Sequence, residues 1–417
     1  MRVFKFGGAS VKNAAAVKNV AKVLRVTGYS NLLVVVSAMG KTTNALEKIV
    51  DSYLAQDPKQ KELIQNLKEY HFEIIMSLFD AKQHPVYQKT ENLFNDLETT
   101  LVRNKSKQYD YIYDQVVSYG ELISTVIISE YLNATGLNNE WLDAREMIKT
   151  NNSYRDAQVD WTRTQQIILD NVNKNILSVT QGFIASDQNN FTTTLGREGS
   201  DYTAGIFAYC LGANSVSIWK DVPGVLNGDP RVFENTKLLS HVSYEEAIEL
   251  AFYGASVIHP KTIQPLQRKE IPLYVKSFLY PETEGTTVKK GQPLDPYMPC
   301  YIVKKNQVLV SLSSLDFSFI VEENISDIFK LFHKYHIKVD LIQNSAISFS
   351  VCLDDKFDHF EKLLKTLKAK FKVTYNTGVS LFTIRHFTDN SIVSLEKNKE
   401  ILLKQITRET YQMVAKD

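Results

Sequence analysis

The first 135 residues alternate between short apolar runs and long stretches with helical spacing. Residues 3–6 form a short apolar run, and 32–36 is a continuous run of leucine and valine typical of a strand buried on both faces. Between them, apolar residues from Val11 to Leu24 recur every three or four positions, which predicts a helix. Residues 44–135 keep that spacing almost throughout, so we predict a mainly helical segment there.

From about residue 175 the pattern returns to short strands that alternate with helices. This alternation predicts an α/β fold with a mostly parallel sheet covered by helices on both sides. One of the helices has Ser243 and Glu246 at the spacing of a capping box. The predicted strands are 176–184, 216–219 and 273–275, the last one short, and the predicted helices are 199–211 and 243–253.

The pattern changes after residues 282–299, which are rich in glycine, proline and lysine and which we interpret as a linker. Beyond them, strands and helices follow in a βαββα order that is typical of small ferredoxin-like units. The last unit has room for only a short helix at 394–399. The other predicted strands are 307–312, 339–341, 347–351 and 379–384, with more between 401 and 413, and the predicted helices are 325–335 and 357–371.

Composition and charge exclude several classes of protein. A chain of 417 residues with 44% hydrophobic and 23% charged residues is an ordinary globular chain with room for two or three domains. Its net charge of +1 does not favour binding to nucleic acid or to an anionic membrane. No apolar run approaches the roughly 20 residues needed to cross a bilayer. Three distant cysteines and no visible signal peptide indicate a reducing compartment, so we expect a cytoplasmic protein.

The first candidate for chemistry is the glycine pair that follows the first predicted strand. A strand that ends at Gly7 and Gly8 before a helix leaves free backbone N–H groups at the positive end of that helix. With the charge of Lys5 beside them, these groups predict a phosphate site. The alternative is an ordinary tight turn, in which glycine supplies a positive φ and Lys5 is solvated.

Further segments combine charged side chains with glycines. Arg197 lies in a loop between two glycines, where its guanidinium could clamp a carboxylate or phosphate, although a surface arginine is the alternative. Glu121 interrupts an apolar helical stretch, and a lone glutamate in a helix ordinarily faces solvent. Residues 219–231 follow a strand and suit nucleotide contacts at its carboxyl end, whereas 252–262 are equally well explained as a helix end.

Taken in order, these segments resemble the aspartate kinases of the amino acid kinase family. The resemblance covers about residues 1–290 and implies a catalytic domain built as a three-layer αβα sandwich. Residues 291–417 resemble the ferredoxin-like ACT regulatory region of that family, with units at about 303–375 and 376–417, the last one shortened. The motifs that carry the resemblance are KFGGAS at 5–10, SAMGKTTN at 37–44, SYGELIS at 118–124, TTLGREGSDYTA at 193–204, WKDVPGV at 219–225 with DPR at 229–231, and ELAFYGASVIHPKTI at 249–263.

The resemblance implies transfer of the γ-phosphoryl group of ATP to the β-carboxylate of L-aspartate, with Mg²⁺ bridging the phosphates. The product is 4-phospho-L-aspartate, the first intermediate towards lysine, threonine and methionine. A carboxylate with a pKa of about 4 is already ionised at pH 7, so the reaction needs no catalytic base. It depends instead on holding two anions in line and neutralising charge on the transferred group.

The resemblance also assigns roles to individual residues. Lys5 and the N–H groups of Gly7 and Gly8 are expected at the phosphates, and Asp201 is expected to orient Lys5 or the metal-bound nucleotide. Arg197 is expected at a substrate carboxylate and Glu121 at the substrate ammonium. The predicted catalytic residues are Lys5, Arg197 and Asp201; the substrate-binding residues are Ser37, Thr43, Glu121, Phe183, Thr194, Arg197 and Ser200; the nucleotide-binding residues are Lys5, Gly7, Gly8, Ser10, Lys220, Asp221, Val222, Leu226, Arg231 and Ser256; and the effector residues are Asp340 and Ser345, in the loop that holds effector in relatives.

Three residues depart from the family pattern. Glu198 replaces a glycine, Leu226 a tyrosine and Ser256 a lysine. The regulatory region implies an amino-acid effector, lysine or threonine, and pairing into a homodimer or larger assembly; the alternative is a region that only dimerises. Two other interpretations stay open for the chain as a whole, a kinase acting on another acid such as glutamate and a catalytically weak or silent amino-acid sensor.

Overall fold

The computed structural model describes residues 1–81, 83–255, 258–316, 318–356 and 358–416. The chain divides into two compact units. The predicted boundary at residue 290 places 226–237 and 249–255 in the catalytic domain, whereas both segments belong to the second unit. The first unit comprises 1–225, 238–248 and the described part of 257–295, and the second comprises 226–237, 249–255 and the described part of 296–417.

The first unit contains the predicted elements, but the predicted strand 176–184 is divided between two strands, and several further short strands and helices were not predicted. Its strands are β1 (Arg2–Phe6), β2 (Leu32–Val36), β3 (Asn139–Leu142), β4 (Leu177–Gln181), β5 (Ile184–Ser186), β6 (Thr192–Thr194), β7 (Ser215–Lys220), β8 (His241–Val242), β9 (Leu273–Ser277) and β10 (Thr286–Val288). Its helices are α1 (Ala14–Thr27), α2 (Thr42–Leu54), α3 (Gln60–Leu78), α4 (Pro85–Arg103), α5 (Tyr109–Ala134), α6 (Ala144–Met147), α7 (Trp161–Asn171), α8 (Gly199–Leu211), α9 (Tyr244–Tyr253) and α10 (Pro260–Arg268), and the C-terminal part of α9 belongs to the second unit.

The main sheet of this unit has eight strands in the order β3-β4-β2-β1-β7-β9-β10-β8. All its pairs are parallel except that of β9 with β10. The prediction of a mostly parallel sheet is therefore confirmed. The segment 282–299, predicted as a linker, contains β10, so β9 is not the last strand of the sheet.

Side-chain alternation along β1 decides which residues enter the core. Phe4 and Phe6 pack into one large apolar cluster with residues of α1 to α5, and Leu32, Val34 and Val36 of β2 join them. Because successive side chains of a strand point to opposite faces, Lys5 lies on the other face of the sheet. That face carries α8, which packs on β1 and β7.

The segment after β1 differs from the prediction. A 3₁₀ turn at Gly8–Val11 comes first, and α1 begins only at Ala14, where the side chain of Asn13 accepts a hydrogen bond from the N–H of Ala16. The free N–H groups beside the glycine pair therefore belong to the 3₁₀ turn rather than to α1.

The second unit contains an antiparallel sheet of six strands in the order β12-β13-β11-β14-β16-β15. Phe357, the predicted start of one helix, lies outside the described residues. The elements are β11 (Cys300–Ser313), α11 (Glu322–Lys334), β12 (Lys338–Asn344), β13 (Ser348–Asp354), α12 (Phe360–Lys368), β14 (Lys372–Arg385), α13 (Asp389–Glu396), β15 (Glu400–Ile406) and β16 (Thr410–Lys416).

The two central strands of this sheet each run for 14 residues. The first half of β11 pairs with the second half of β14, and the second half of β11 pairs with the first half of β14 and with β13. The boundary predicted between residues 375 and 376 falls inside β14, so the two halves of the sheet share that strand.

Candidate active site

A buried carboxylate holds two lysines at the carboxyl ends of β1 and β7. Asp201, in the first turn of α8, is 2% exposed, and its Oδ1 lies 2.5 Å from Nζ of Lys5 while Oδ2 lies 3.6 Å from Nζ of Lys220. Burial alone would raise the pKa of Asp201, but the ammonium groups of Lys5 and Lys220 outweigh it and hold that pKa below its ordinary value. The three side chains form a charged cluster with one more positive than negative charge, which suits an anion.

Gly8 of the glycine pair is required by a close approach of two backbone segments. A Cβ on Gly8 would lie 2.8 Å from the carbonyl oxygen of Ala38 and 3.0 Å from that of Gly40. The N–H of Gly40 donates to the carbonyl of Gly8 at 3.0 Å. Gly7 has a φ of −79°, so the alternative that it supplies a positive φ is wrong. A Cβ on Gly7 would lie 3.4 Å from Nζ of Lys5.

Glu121 lies in the interior of the first unit, so the ordinary expectation of a solvent-facing glutamate is wrong. It is 2% exposed on α5, and its Oε1 accepts a long hydrogen bond, 3.4 Å, from the N–H of Ala38. Oε2 has no hydrogen-bond partner among the described residues. Burial raises the pKa of Glu121 to about 8. A buried acceptor of this kind is suited to a cationic group that the chain itself does not supply.

The segment that precedes α8 is shaped by residues with a positive φ. Gly196 has a φ of 78° and Glu198 a φ of 53°, a backbone conformation that favours glycine, which the resemblance leads us to expect at position 198. The carboxylate of Glu198 is partly buried and lies close enough to Lys220, Asp201 and Lys5 to feel their charges, and burial raises its pKa. Arg197 between them is exposed, and the structure shows no hydrogen bond or ion pair for it within the described residues.

The remaining substrate-binding candidates of the first unit lie next to these groups in the fold. The hydroxyl of Ser124 donates to the carbonyl of Ser37 at 2.7 Å, which ties α5 to the end of β2. Phe183 has a φ of 72°, and its carbonyl accepts from the N–H of Leu195 at 2.9 Å. Ser200 packs so closely on Gly182 that a Cβ there would lie 2.4 Å from the Cβ of Ser200. Thr43 is half-buried in the first turn of α2.

No metal cage of protein side chains is present in the part of the chain that the structure describes. None of its histidines, cysteines, aspartates and glutamates form a group of three that could hold a metal ion. Asp201 is already paired with two lysines. The donor set therefore does not fit a metal held by the protein alone. None of the described helices is long and apolar enough to span a membrane.

Comparison with known proteins places the chain in a family. A model of the amino acid kinase family matches residues 1–277. Lysine-sensitive aspartokinase 3 of Escherichia coli is 31% identical over 394 residues, which cover 92% of this chain and 86% of that protein. The chain belongs to the aspartokinases of the amino acid kinase family. The chloroplastic aspartokinase 1 of Arabidopsis thaliana is also 31% identical, over 84% of this chain and 63% of its own length.

Solved aspartokinases share this fold along the whole chain. Crystalline E. coli aspartokinase III in complex with aspartate and ADP, in its R-state, matches with a TM-score of 0.85 and 27% identity, covering 100% of this chain and 96% of that one. The same enzyme with lysine and aspartate, in its T-state, matches with a TM-score of 0.81 and 28% identity over 99% of this chain and 95% of that one. These matches confirm the predicted αβα catalytic fold and ACT-like region.

The other predicted nucleotide-binding residues are divided between the surroundings of β7 and the second unit. Ser10 is buried and donates to the carbonyl of Trp219 at 3.4 Å, and Asp221 and Val222 follow β7 directly. Leu226 and Arg231 belong to the second unit, where the guanidinium of Arg231 is exposed and pairs with Asp229 at 2.7 Å.

The remaining nucleotide candidate, Ser256, lies outside the described residues.

The two effector candidates of the aspartokinase resemblance do not share a loop. Asp340 lies within strand β12, at the point where its pairing with β13 shifts register. Its buried carboxylate lies 2.8 Å from Nζ of Lys304 and 3.1 Å from that of Lys338. Ser345 is exposed in the turn after β12, where its hydroxyl bonds to that of Ser348 at 2.7 Å. The expectation that both lie in one loop is therefore wrong for Asp340.

Asp114 is a further buried carboxylate that the sequence motifs do not contain. This residue is fully buried on α5, and its carboxylate binds the backbone and hydroxyl of Thr194. Its spacing of seven residues from Glu121 places both on one face of the helix, which is the signal that could have found it.

Proposed function

We propose that the protein is an aspartate kinase, which transfers the γ-phosphoryl group of ATP to the β-carboxylate of L-aspartate and yields 4-phospho-L-aspartate and ADP. The observation that carries this proposal is the buried Glu121 carboxylate with an oxygen that lacks a partner among the described residues. An amino-acid substrate supplies the ammonium group that such an oxygen needs. The similarity to an aspartokinase structure with aspartate and ADP bound supports the same substrates.

The charges of the first unit suit the chemistry of acyl phosphate formation. The attacking β-carboxylate is ionised at neutral pH, so the protein needs cations and donors rather than a base. Lys5 and Lys220 are held in place by Asp201 and would neutralise the charge that develops on the transferred phosphoryl group. The exposed guanidinium of Arg197 would bind the substrate α-carboxylate in a bidentate way.

The nucleotide is proposed to lie over the 3₁₀ turn that follows β1. The N–H groups of Gly7 and Gly8 would contact its phosphates, with Ser10, Asp221 and Val222 alongside. We keep Leu226, Arg231 and Ser256 as proposed nucleotide contacts on the resemblance alone. Mg²⁺ would enter bound to the nucleotide phosphates, where it reduces their charge; it prefers that arrangement to a cage made of protein ligands.

A hydroxylamine trap for acyl phosphate tests the reaction. The enzyme is incubated with ATP, Mg²⁺ and hydroxylamine, and with aspartate, glutamate, N-acetylglutamate or no acid. The proposal predicts hydroxamate with aspartate and none with the other acids. A signal with glutamate but not with aspartate would contradict it.

A catalytically weak or silent amino-acid sensor is the second candidate, because Glu198 adds a negative charge beside Lys5 and Lys220. This candidate predicts that aspartate binds, as measured by calorimetry, while no hydroxamate forms with any acid.

Regulation by an amino acid is proposed for the second unit. The carboxylate of Asp340 could receive the ammonium of lysine or threonine, with Ser345 in the neighbouring turn. Lys304 and Lys338 both pair with Oδ1 of Asp340, whereas Oδ2 has no hydrogen-bond partner among the described residues, so an effector ammonium would bind at Oδ2. Inhibition curves with lysine and with threonine test this proposal, and a flat response to both would favour a region that only dimerises.

We further propose a cytoplasmic homodimer. All three cysteines are buried free thiols, which suits a reducing compartment. Strand β12 is an edge of the six-stranded sheet, and Ile342 on it and Ile347 beyond it are 42% and 44% exposed, as expected of a surface covered by a second copy. Light scattering on the purified protein measures the assembly, and a monomer mass would contradict it.

A further inference from the structure

A second buried carboxylate lies two helical turns before Glu121 on α5. Oδ1 of Asp114 accepts the hydroxyl of Thr194 at 2.7 Å. Oδ2 accepts two backbone N–H groups, that of Thr194 at 2.8 Å and that of Arg155 at 3.0 Å. One side chain thus binds the end of β6 and the turn that contains Arg155.

That turn supports the backbone that leads to Arg197. The N–H of Ala157 donates to the carbonyl of Thr194 at 2.9 Å. Gly196 has a φ of 78°, which favours glycine, and a Cβ there would lie 3.2 Å from the carbonyl oxygen of Arg155 and 2.5 Å from Oδ1 of Asp156. Asp156 in turn pairs with Lys261 of α10. Contacts with α5 and with the turn that contains Arg155 therefore hold the residues just before Arg197 in place.

The protonation state of Asp114 determines which way the hydroxyl of Thr194 points. Burial raises the pKa of Asp114 to about 6, so the group is mainly ionised at pH 8. An ionised carboxylate can only accept hydrogen bonds. The single hydroxyl hydrogen of Thr194 is therefore committed to Asp114, and its oxygen is left with lone pairs only. Such an oxygen can bind an ammonium group but not a carboxylate.

We propose that Asp114 is a positioning residue for the aspartate site, which fixes the hydroxyl of Thr194 as an acceptor for the substrate ammonium and holds the segment that carries Arg197. This inference rests on the proposed aspartate kinase activity. Glu121 and the hydroxyl of Thr194 would then share the ammonium, and the β-carboxylate would remain free to attack the phosphoryl group.

The isosteric variant Asp114→Asn tests the proposal. Its amide oxygen can still accept the two backbone N–H groups, but its NH₂ group must donate to Thr194, which reverses the hydroxyl. We expect the KM for aspartate at pH 8 to rise about tenfold or more, with kcat and the KM for ATP changed by less than about threefold. The midpoint of thermal unfolding should not fall. Asp170→Asn, on the exposed surface of α7, is the matched control and should leave all three constants unchanged.

A double-mutant cycle with Thr194→Val separates this role from a general loss of structure. If Asp114 acts through the hydroxyl, Asp114→Asn should raise the KM for aspartate by less than about twofold in the Thr194→Val background. An equal rise in both backgrounds would overturn the proposal. So would an unchanged KM in the single variant, or a parallel fall of kcat and thermal stability.

The failure of this inference can be distinguished from failure of the proposed function. The unmodified enzyme must first yield hydroxamate with aspartate. If it does not, the proposed activity is wrong, and the same four proteins are compared by calorimetric titration with aspartate. An affinity that falls about tenfold in Asp114→Asn only when Thr194 is present would still support the role of Asp114, and any other pattern would overturn it.

Discussion

Two buried carboxylates of the first unit differ in whether the protein itself supplies their counter-charge. Asp201 has Lys5 at 2.5 Å and Lys220 at 3.6 Å, and its pKa is lowered. Glu121 accepts a long hydrogen bond from the N–H of Ala38, its Oε2 has no hydrogen-bond partner among the described residues, and its pKa is raised to about 8. The proposed phosphate end of the site is therefore assembled without ligand, whereas the proposed amino-acid end is completed only when a cation arrives.

The difference has an energetic meaning. A buried charge that lacks a partner destabilises a fold, whereas one that is paired and hydrogen-bonded does not. In the proposed role, Glu121 would lower the stability of the free enzyme, and binding of the substrate ammonium would restore it, which would make this end of the site selective for an ammonium. Asp201 shows no such dependence, because its two lysines are part of the chain.

The largest expected effect is the loss of Lys5. Lys5→Ala removes the closer cation of the cluster, so kcat should fall by about 10²- to 10³-fold, as on removal of other transition-state donors. Steady-state kinetics with saturating aspartate and ATP measure it. Lys18→Ala, an exposed lysine of α1, is the control. A kcat within about threefold of the original would remove Lys5 from the mechanism.

The next prediction concerns Glu121 and pH. Because the substrate ammonium requires the ionised form, kcat/KM for aspartate should fall about tenfold per pH unit below pH 8. Glu121→Gln should lower kcat/KM at pH 8.5 by about 10- to 100-fold, because it removes a charge-assisted hydrogen bond. The kcat/KM of this variant should no longer depend on pH in this range. If kcat/KM of Glu121→Gln still falls as the pH is lowered below 8, another group titrates there.

The same variant should be more stable than the original protein in the absence of substrate. The pKa of Glu121 rises from its ordinary 4.5 to about 8 on folding, so its ionisation opposes folding and the stability of the free enzyme falls as pH rises through this range. At pH 8.5 Glu121→Gln should therefore gain about 2–4 kcal/mol, and the gain should shrink as the pH is lowered towards 4.5. Urea unfolding at several pH values measures this, and equal stability at pH 8.5 would show that the carboxylate is already paired.

The smallest effect is expected at Glu198, which brings a negative charge to the proposed phosphate end of the site, where Asp201 pairs with two lysines. Glu198→Gly should lower the KM for ATP by about two- to fivefold, because a carboxylate near Lys5 and Lys220 is removed. Glu270→Gly is the matched control, since Glu270 has the same φ of 53° but is exposed and pairs with Lys290. Equal changes in both variants would assign the effect to the backbone rather than to the charge.

Prediction from the sequence succeeded where local pattern determines the outcome. The apolar runs of β1 and β2 and the long helical stretch were found because periodicity alone specifies them. The sequence could not show that Gly8 faces the carbonyl oxygen of Ala38, because that contact depends on how two segments pack. Nor could it show whether Glu121 is buried, since a glutamate within an apolar helix is compatible with either face.

Asp114 was missed for a related reason. Its partners, Thr194 and Arg155, are 80 and 41 residues away along the chain, so no local motif contains them. Strand β10 was hidden because its three residues, although β-branched and typical of strands, lie in a segment whose glycines and prolines are typical of loops, and its pairing with β9 is a long-range contact that no local pattern shows.

The long strands β11 and β14 have a consequence for how the second unit can be divided. Each strand contributes hydrogen bonds to both halves of the six-stranded sheet. A truncation that removes either half leaves a central strand with exposed N–H and C=O groups along much of its length. The two halves should therefore unfold in one cooperative transition, and neither should be expressible as an independent fragment.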